Sequence, residues 1–212
     1  MHLIIRFISK VLGSELGLEL NLSKCEVFAF GGDTSSRRVA LEKVLFVSSA
    51  IHVTPKEELS LLGCPLLDDA IEPALAAKTA QVKLLTSRLQ LIHPQQALYL
   101  RKKCLSIPKL LYVLRCCPAW RFGSGLAIFD EVIRASLSRI TNTAMIDEVW
   151  RQASLPVSYG GLGIRKTVEI ALPAYLASIY SVERVASVIV PTTSWDAVKS
   201  EPEESWREAF WL

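Results

Sequence analysis

Gly17-Leu18-Glu19-Leu20-Asn21-Leu22-Ser23-Lys24-Cys25-Glu26 begins with strict alternation of leucine and a polar residue. A period of two puts Leu18, Leu20 and Leu22 on one side of an extended chain, which predicts a short strand. Lys24 comes after that pattern, so its own context makes it an exposed cation just past a strand. Upstream, Ile4, Ile8, Val11 and Leu12 recur every three or four residues and predict an amphipathic helix over 3–16, with Gly13 and Gly17 bracketing its end. Downstream, residues 26–30 read as a second strand stopped by Gly31-Gly32, 34–43 as a short helix and 44–53 as a β-branched strand. After a turn at Pro55, residues 59–62 read as a further strand. Residues 1–67 therefore predict a small α+β unit.

Beyond Pro65 the period changes. Asp68 is a candidate N-cap, because its carboxylate can accept the free amides of a first helical turn. The stripe Ile71, Leu75, Val82, Leu85, Leu89 and Ile92 predicts a long helix over 68–92. His93-Pro94 breaks it, and Pro94 suits the first turn of a helix running to 105. Pro108 starts a third helix closed by Pro118. A fourth spans 125–141 with Leu126, Phe129, Ile133, Leu137 and Ile140 on one face. Residues 145–153 and 166–188 give two more, the last bent at Pro173. The acidic, Trp-bearing stretch 191–212 reads as a loosely ordered tail. The fold class is α+β, with a helical bundle over 68–190.

Of the 212 residues, 50% are hydrophobic and 21% charged, the balance of an ordinary globular chain. No apolar run reaches the roughly 18 uninterrupted residues of a membrane span, and no signal peptide is legible, so an intracellular setting is expected. The odd set of five cysteines (Cys25, Cys64, Cys104, Cys116, Cys117) fits reduced thiols there. Without a CxxC, and with His2, His52 and His93 far apart, no metal set is expected. The net charge of +3 is unevenly distributed. Residues 73–129 hold no Asp or Glu but nine basic residues, so the rest of the chain carries −6. Two readings stay open on composition alone: a polyanion-facing surface, or solvated helix faces.

Several motifs occur in one order. They are the 17–26 stretch, Leu59-Ser60-Leu61-Leu62-Gly63-Cys64-Pro65-Leu66, and Ile107-Pro108-Lys109-Leu110-Leu111-Tyr112-Val113-Leu114-Arg115. Ala153-Ser154-Leu155-Pro156 and Gly160-Gly161-Leu162-Gly163-Ile164-Arg165 follow. Together they resemble the end of the palm and the thumb of reverse transcriptases of non-LTR (LINE-like) retrotransposons, which are RNA-directed DNA polymerases. The resemblance spans about residues 3 to 190 and implies a palm remnant followed by a thumb-like helical bundle.

That resemblance assigns Lys24 a place beside the incoming nucleotide's phosphates, as proton donor to the pyrophosphate leaving group. It makes Leu61, Leu62 and Gly63 a primer grip. Lys78, Lys83, Arg88, Arg101, Lys102, Lys103, Lys109 and Arg115 become a thumb surface following the backbone of an RNA/DNA duplex, with Arg101-Lys102-Lys103 the densest cluster. The implied partners are template RNA, that duplex and the remainder of the polymerase. The intact family enzyme needs Mg²⁺ held by the aspartates of a YxDD hairpin. These would lie before Gly17, where the sixteen residues present include no Asp. No cofactor is therefore expected in this segment, and no polymerisation by it alone. Asp68-Asp69 come after the LLGCPL turn, on the wrong side for a metal pair, and read as a helix start. Gly160–Gly163 lack phosphate-loop spacing and read as a tight interhelical turn. The alternatives are a duplex binder without activity, and a helical interaction protein or remnant without a selected role.

Overall fold

The computed structural model describes residues 21–210. The chain divides between Leu59 and Ser60 into two compact units.

In the first unit, β1 (Glu26–Val27) pairs in parallel with β2 (His52–Val53). Helix α1 (Thr34–Val47) connects them, with Val44 and Ile51 buried beneath. The chain enters α1 through Gly31 and Gly32, whose φ values of 78° and 68° suit residues without a Cβ. Asp33 then caps the helix, its Oδ1 accepting from the Ser36 amide at 3.0 Å.

Two expectations change here. The predicted strand over 44–53 is helical up to Val47, because extending a formed helix by one residue is cheap and outweighs a weak local β preference. The predicted strand over 26–30 keeps only two residues. The helix expected over 3–16 and the strand residues Leu18 and Leu20 lie outside the described residues. Leu22 and Lys24 share a 3₁₀ turn, Leu22–Lys24, capped by the Asn21 side chain. Lys24 therefore ends a turn instead of following a strand. Phe30 and Phe46 are exposed.

The second unit opens with a hairpin of β3 (Ser60–Leu61) and β4 (Cys64–Pro65). Seven helices follow: α2 (Asp68–Arg88), α3 (Pro94–Cys104), α4 (Ile107–Cys116), α5 (Gly123–Thr141), α6 (Asp147–Ser154), α7 (Thr167–Ile189) and α8 (Trp195–Phe210). The hairpin belongs with these helices, and not with the α+β unit expected to run to residue 67. Cys64 is buried in the helical core, and β4 packs on α2 and α4. The described residues are thus mostly helical, with two small sheets.

The core forms where the stripes of α2 and α5 meet and where α4 lies along α7. Ile71, Leu75, Val82, Leu110, Leu114, Leu126, Phe129, Ile133 and Leu137 fill it. Pro94 and Pro108 stand in the first turns of α3 and α4, where a missing N–H costs nothing. The N-cap of α2 is Leu67, so Asp68 is the first helical residue and its carboxylate pairs with Arg121 at 3.3 Å. Its charge still favours the helix N-terminus.

Two polar devices join distant segments. Asp130, buried in α5, accepts from the Thr167 and Val168 amides at 2.8 and 3.3 Å and so caps α7 from another helix. Burial raises its pKa despite those bonds. The 160–164 loop folds back on α6 and its exit. The Leu162 amide donates to Ala153 O at 3.1 Å and the Gly163 amide to Leu155 O at 2.8 Å. A Cβ on Gly161 would lie 2.0 Å from Leu155 O, so only glycine fits.

The tail expected to be loose over 191–212 is mostly helix α8, packed on α7. Lys199 Nζ reaches Glu183 Oε1 at 2.9 Å, the Tyr180 hydroxyl donates to Glu203, and Arg121 pairs with Glu201. Among the described residues, no helix is long and apolar enough to cross a membrane.

Candidate nucleic-acid interface

The β3–β4 connection is the two-residue turn Leu62-Gly63, with φ of 53° and 80°. Positive φ at both central positions is the geometry that matches the twist of a tight hairpin. Glycine meets it freely. Leucine does not, because a left-handed backbone crowds its Cβ at a cost of about 1–2 kcal/mol. The side chain gains no compensating burial, being 87% exposed, with Leu61 beside it at 60%. The hairpin thus presents a strained apolar tip to solvent. Of this turn, sequence reasoning foresaw unusual dihedrals only at Gly63.

The basic residues fare unequally. Arg101, expected to lead the densest cationic cluster, is fully buried at 0% exposure. It sits one helical turn after the buried Ala97 and points into the bundle, where Nη2 donates to Ile133 O. Its Nε and Nη1 have no hydrogen-bond partner. Desolvation lowers its pKa to about 10. No duplex reaches it, and its assignment to the binding surface is withdrawn.

Lys78, Lys83 and Arg88 follow one another along α2 at five-residue steps. At 3.6 residues per turn each step rotates by roughly 140°, so they project from three different sides. They are not one face.

Lys102 and Lys103 end α3, and Lys109 stands in the first turns of α4. All three border one short connection, Leu105-Ser106. The Lys102 ammonium also lies against the 160–164 loop, 2.9 Å from where a Cβ on Gly163 would stand. Arg165, two residues on, is exposed. Sequence reasoning did not assign it a role, although the GGLGIR motif ends on it. Among the described residues, neither these four cations nor Lys78, Lys83, Arg88 and Arg115 have a carboxylate at ion-pair distance. Arg121 contrasts with them, being held by Asp68 and Glu201.

Lys24 is exposed in the first unit, while the Leu61–Gly63 tip and the helices belong to the second. The loop amides at Leu162 and Gly163 are already bonded to carbonyls, so that turn offers no phosphate cradle. Among the described residues, no group of three His, Cys, Asp or Glu side chains is placed to hold a metal ion. No family model, curated protein or solved structure matches the chain.

Proposed function

We propose that the chain is a segment of a reverse transcriptase of the non-LTR retrotransposon type, covering the end of the palm and the thumb. On this reading its own activity is to hold RNA/DNA duplex by the backbone. The single observation that supports it best is Lys102, Lys103 and Lys109 around one helix connection, free of carboxylates, within a stretch without Asp or Glu. Duplex phosphates are the partner such a group fits, since each lysine gains by releasing condensed counterions. The apolar Leu61-Leu62 tip would stand against the primer's sugars, and Lys24 beside nucleotide phosphates once the remaining palm is supplied. Nucleotide addition needs paired carboxylates on two metals, and the 212 residues contain no YxDD. The chain alone is expected to incorporate none.

The test is fluorescence anisotropy on a labelled RNA/DNA hybrid across a salt titration. Lys102, Lys103, Lys109 and Arg165 together give a slope of log K against log salt of roughly 3 to 4, at about 0.9 per phosphate for duplex. The eight cations expected from sequence would give about 7. Replacing Lys102, Lys103 and Lys109 by Ala should lower the slope by about 3. Binding that ignores both salt and the triple variant overturns the proposal.

A second reading, a helical interaction protein, has one observation in its favour. Val182, Val185, Val188 and Ile189 line the exposed end of α7 at three- and four-residue spacing, with Val188 82% exposed. Such an apolar stripe suits another helix.

A further inference from the structure

The end of α4 brings three thiols together. Cys116 is its last residue, Cys117 its C-cap, and Cys64 comes from β4, which packs against the same helix. Cys64 and Cys117 share one core cluster at this strand–helix contact, and the Cys64 thiol interacts with both Cys116 and Cys117 there. Cys64 and Cys117 are buried in the core, whereas Cys116 is exposed. All three are free thiols.

Their surroundings give them different chemistry. Burial pushes the Cys117 thiol up to about 12 and raises Cys64 as well, so both stay protonated and away from solutes. Cys117 also donates to Val113 O at 3.2 Å. Of the three, Cys116 alone meets solvent, one helical turn after Tyr112 on α4. A bond between Cys116 and Cys117 would close a strained ring through the peptide joining them, whose planarity it would distort. Cys64 has no such obstacle, since it approaches from a separate strand.

We propose that Cys116 and Cys64 form a thiol-oxidation site in which a hydroperoxide oxidises Cys116 and Cys64 closes the disulfide. The Cys116 sulfur attacks the terminal peroxide oxygen and the O–O bond breaks. With hydrogen peroxide this leaves a sulfenic acid and one water. The Cys64 sulfur then attacks the sulfenic sulfur, the S–O bond breaks and a second water departs with the Cys64 proton. Two thiols lose two electrons and the peroxide gains them, so the exchange balances. The product ties the second strand of the hairpin to the end of α4, and a dithiol reductant restores both groups. Neither step depends on nucleic acid.

The full chain is treated with hydrogen peroxide, free thiols are alkylated, and peptides are mapped by mass spectrometry without reductant. The expected product joins the Cys64 peptide to the one that carries both Cys116 and Cys117. Dithiothreitol should remove it. Cys116→Ser, at an exposed position where folding is safe, assigns the bond: the cross-link disappears in C116S and persists in Cys117→Ser. In Cys64→Ser, Cys116 should proceed to sulfinic acid for want of a resolving thiol. A cross-link that survives in C116S overturns the proposal. So does wild-type oxidation of Cys116 straight to sulfinic acid with Cys64 still alkylatable.

Discussion

Replacing Arg101 by Met should make the protein more stable, although it deletes a hydrogen bond. The guanidinium is completely buried, two of its nitrogens find no acceptor, and its one bond goes to the uncharged Ile133 carbonyl. Nothing anionic offsets the charge, and desolvation is the cause that lowers its pKa to about 10. An ordinary guanidinium titrates above 12, and each tenfold change in proton affinity is about 1.4 kcal/mol, so keeping the charge there costs roughly 3 kcal/mol. The bond to Ile133 O returns about 1.5 kcal/mol, as one involving a charged donor. Methionine fills a similar elongated space without charge. The net expectation is a gain of about 1–2 kcal/mol, in line with apolar replacement of buried charges.

The assay is urea unfolding at neutral pH, read as a higher midpoint with an unchanged slope. Loss of stability by 1 kcal/mol or more would refute the reasoning, since it would mean that the guanidinium has a partner worth more than its desolvation. The pH dependence gives a second check with a fixed sign. A base whose folded pKa is depressed burdens the fold while it is charged, and the burden lifts as pH rises through the folded value. The advantage of R101M should therefore shrink above about pH 10. Duplex affinity and its salt slope should stay at wild-type values in this variant.

Leu62→Asn should stabilise the hairpin by about 1 kcal/mol in thermal or urea melts, because Asn-Gly accepts the left-handed turn that Leu62 resists and little packing is lost. Gly161→Ala should cost about 3 kcal/mol or more in the same assay. Its Cβ would sit 2.0 Å from Leu155 O, and relief must break bonds such as Gly163 N to Leu155 O and Leu162 N to Ala153 O, each worth about 1 kcal/mol. Asp130→Ala should cost about 2–3 kcal/mol, since it strips the α7 cap and leaves the buried Thr167 amide and the partly buried Val168 amide without their acceptor. Because burial raises the Asp130 pKa, its protonated form favours folding; that share of stability is present at acid pH, is lost as pH climbs through the raised value, and should be absent from Asp130→Asn melts.

The helices of the second unit were legible because local signals agreed with each other. Pro94 and Pro108 marked two starts, and Leu126, Phe129, Ile133 and Leu137 predicted the buried face of α5. What escaped depends on pairings between distant segments. Arg101, Lys102 and Lys103 are chemically alike as a sequence run, and the carbonyl of Ile133 across the bundle singles out the first. The local hint was its position one turn from Ala97. Helix α8 looked like a polar tail because its acids and prolines were read alone, whereas Lys199 with Glu183 and Tyr180 with Glu203 hold it to α7. No periodicity reports a cap such as Asp130, which acts on residues 37 positions away.

How much of the charge asymmetry can serve a partner depends on the same pairings between distant segments. Residues 73–129 hold nine basic side chains and no acid, yet a cation is available to a phosphate only if the fold has not already used it. Arg101 lies inside the bundle and Arg121 ties α8 to the start of α2. Lys78, Lys83 and Arg88 are free but turned apart, so one straight duplex cannot meet all three. Lys102, Lys103 and Lys109 stay on one connection, and the 160–164 loop that rests on Lys102 leads to the exposed Arg165. The usable field is therefore smaller than the composition suggests and partly drawn from outside the acid-free stretch. On the proposed reading, a patch of that size would orient a duplex without binding it tightly. The strained, exposed Leu62 would on that reading serve as an apolar stop beside a backbone held mainly by charge.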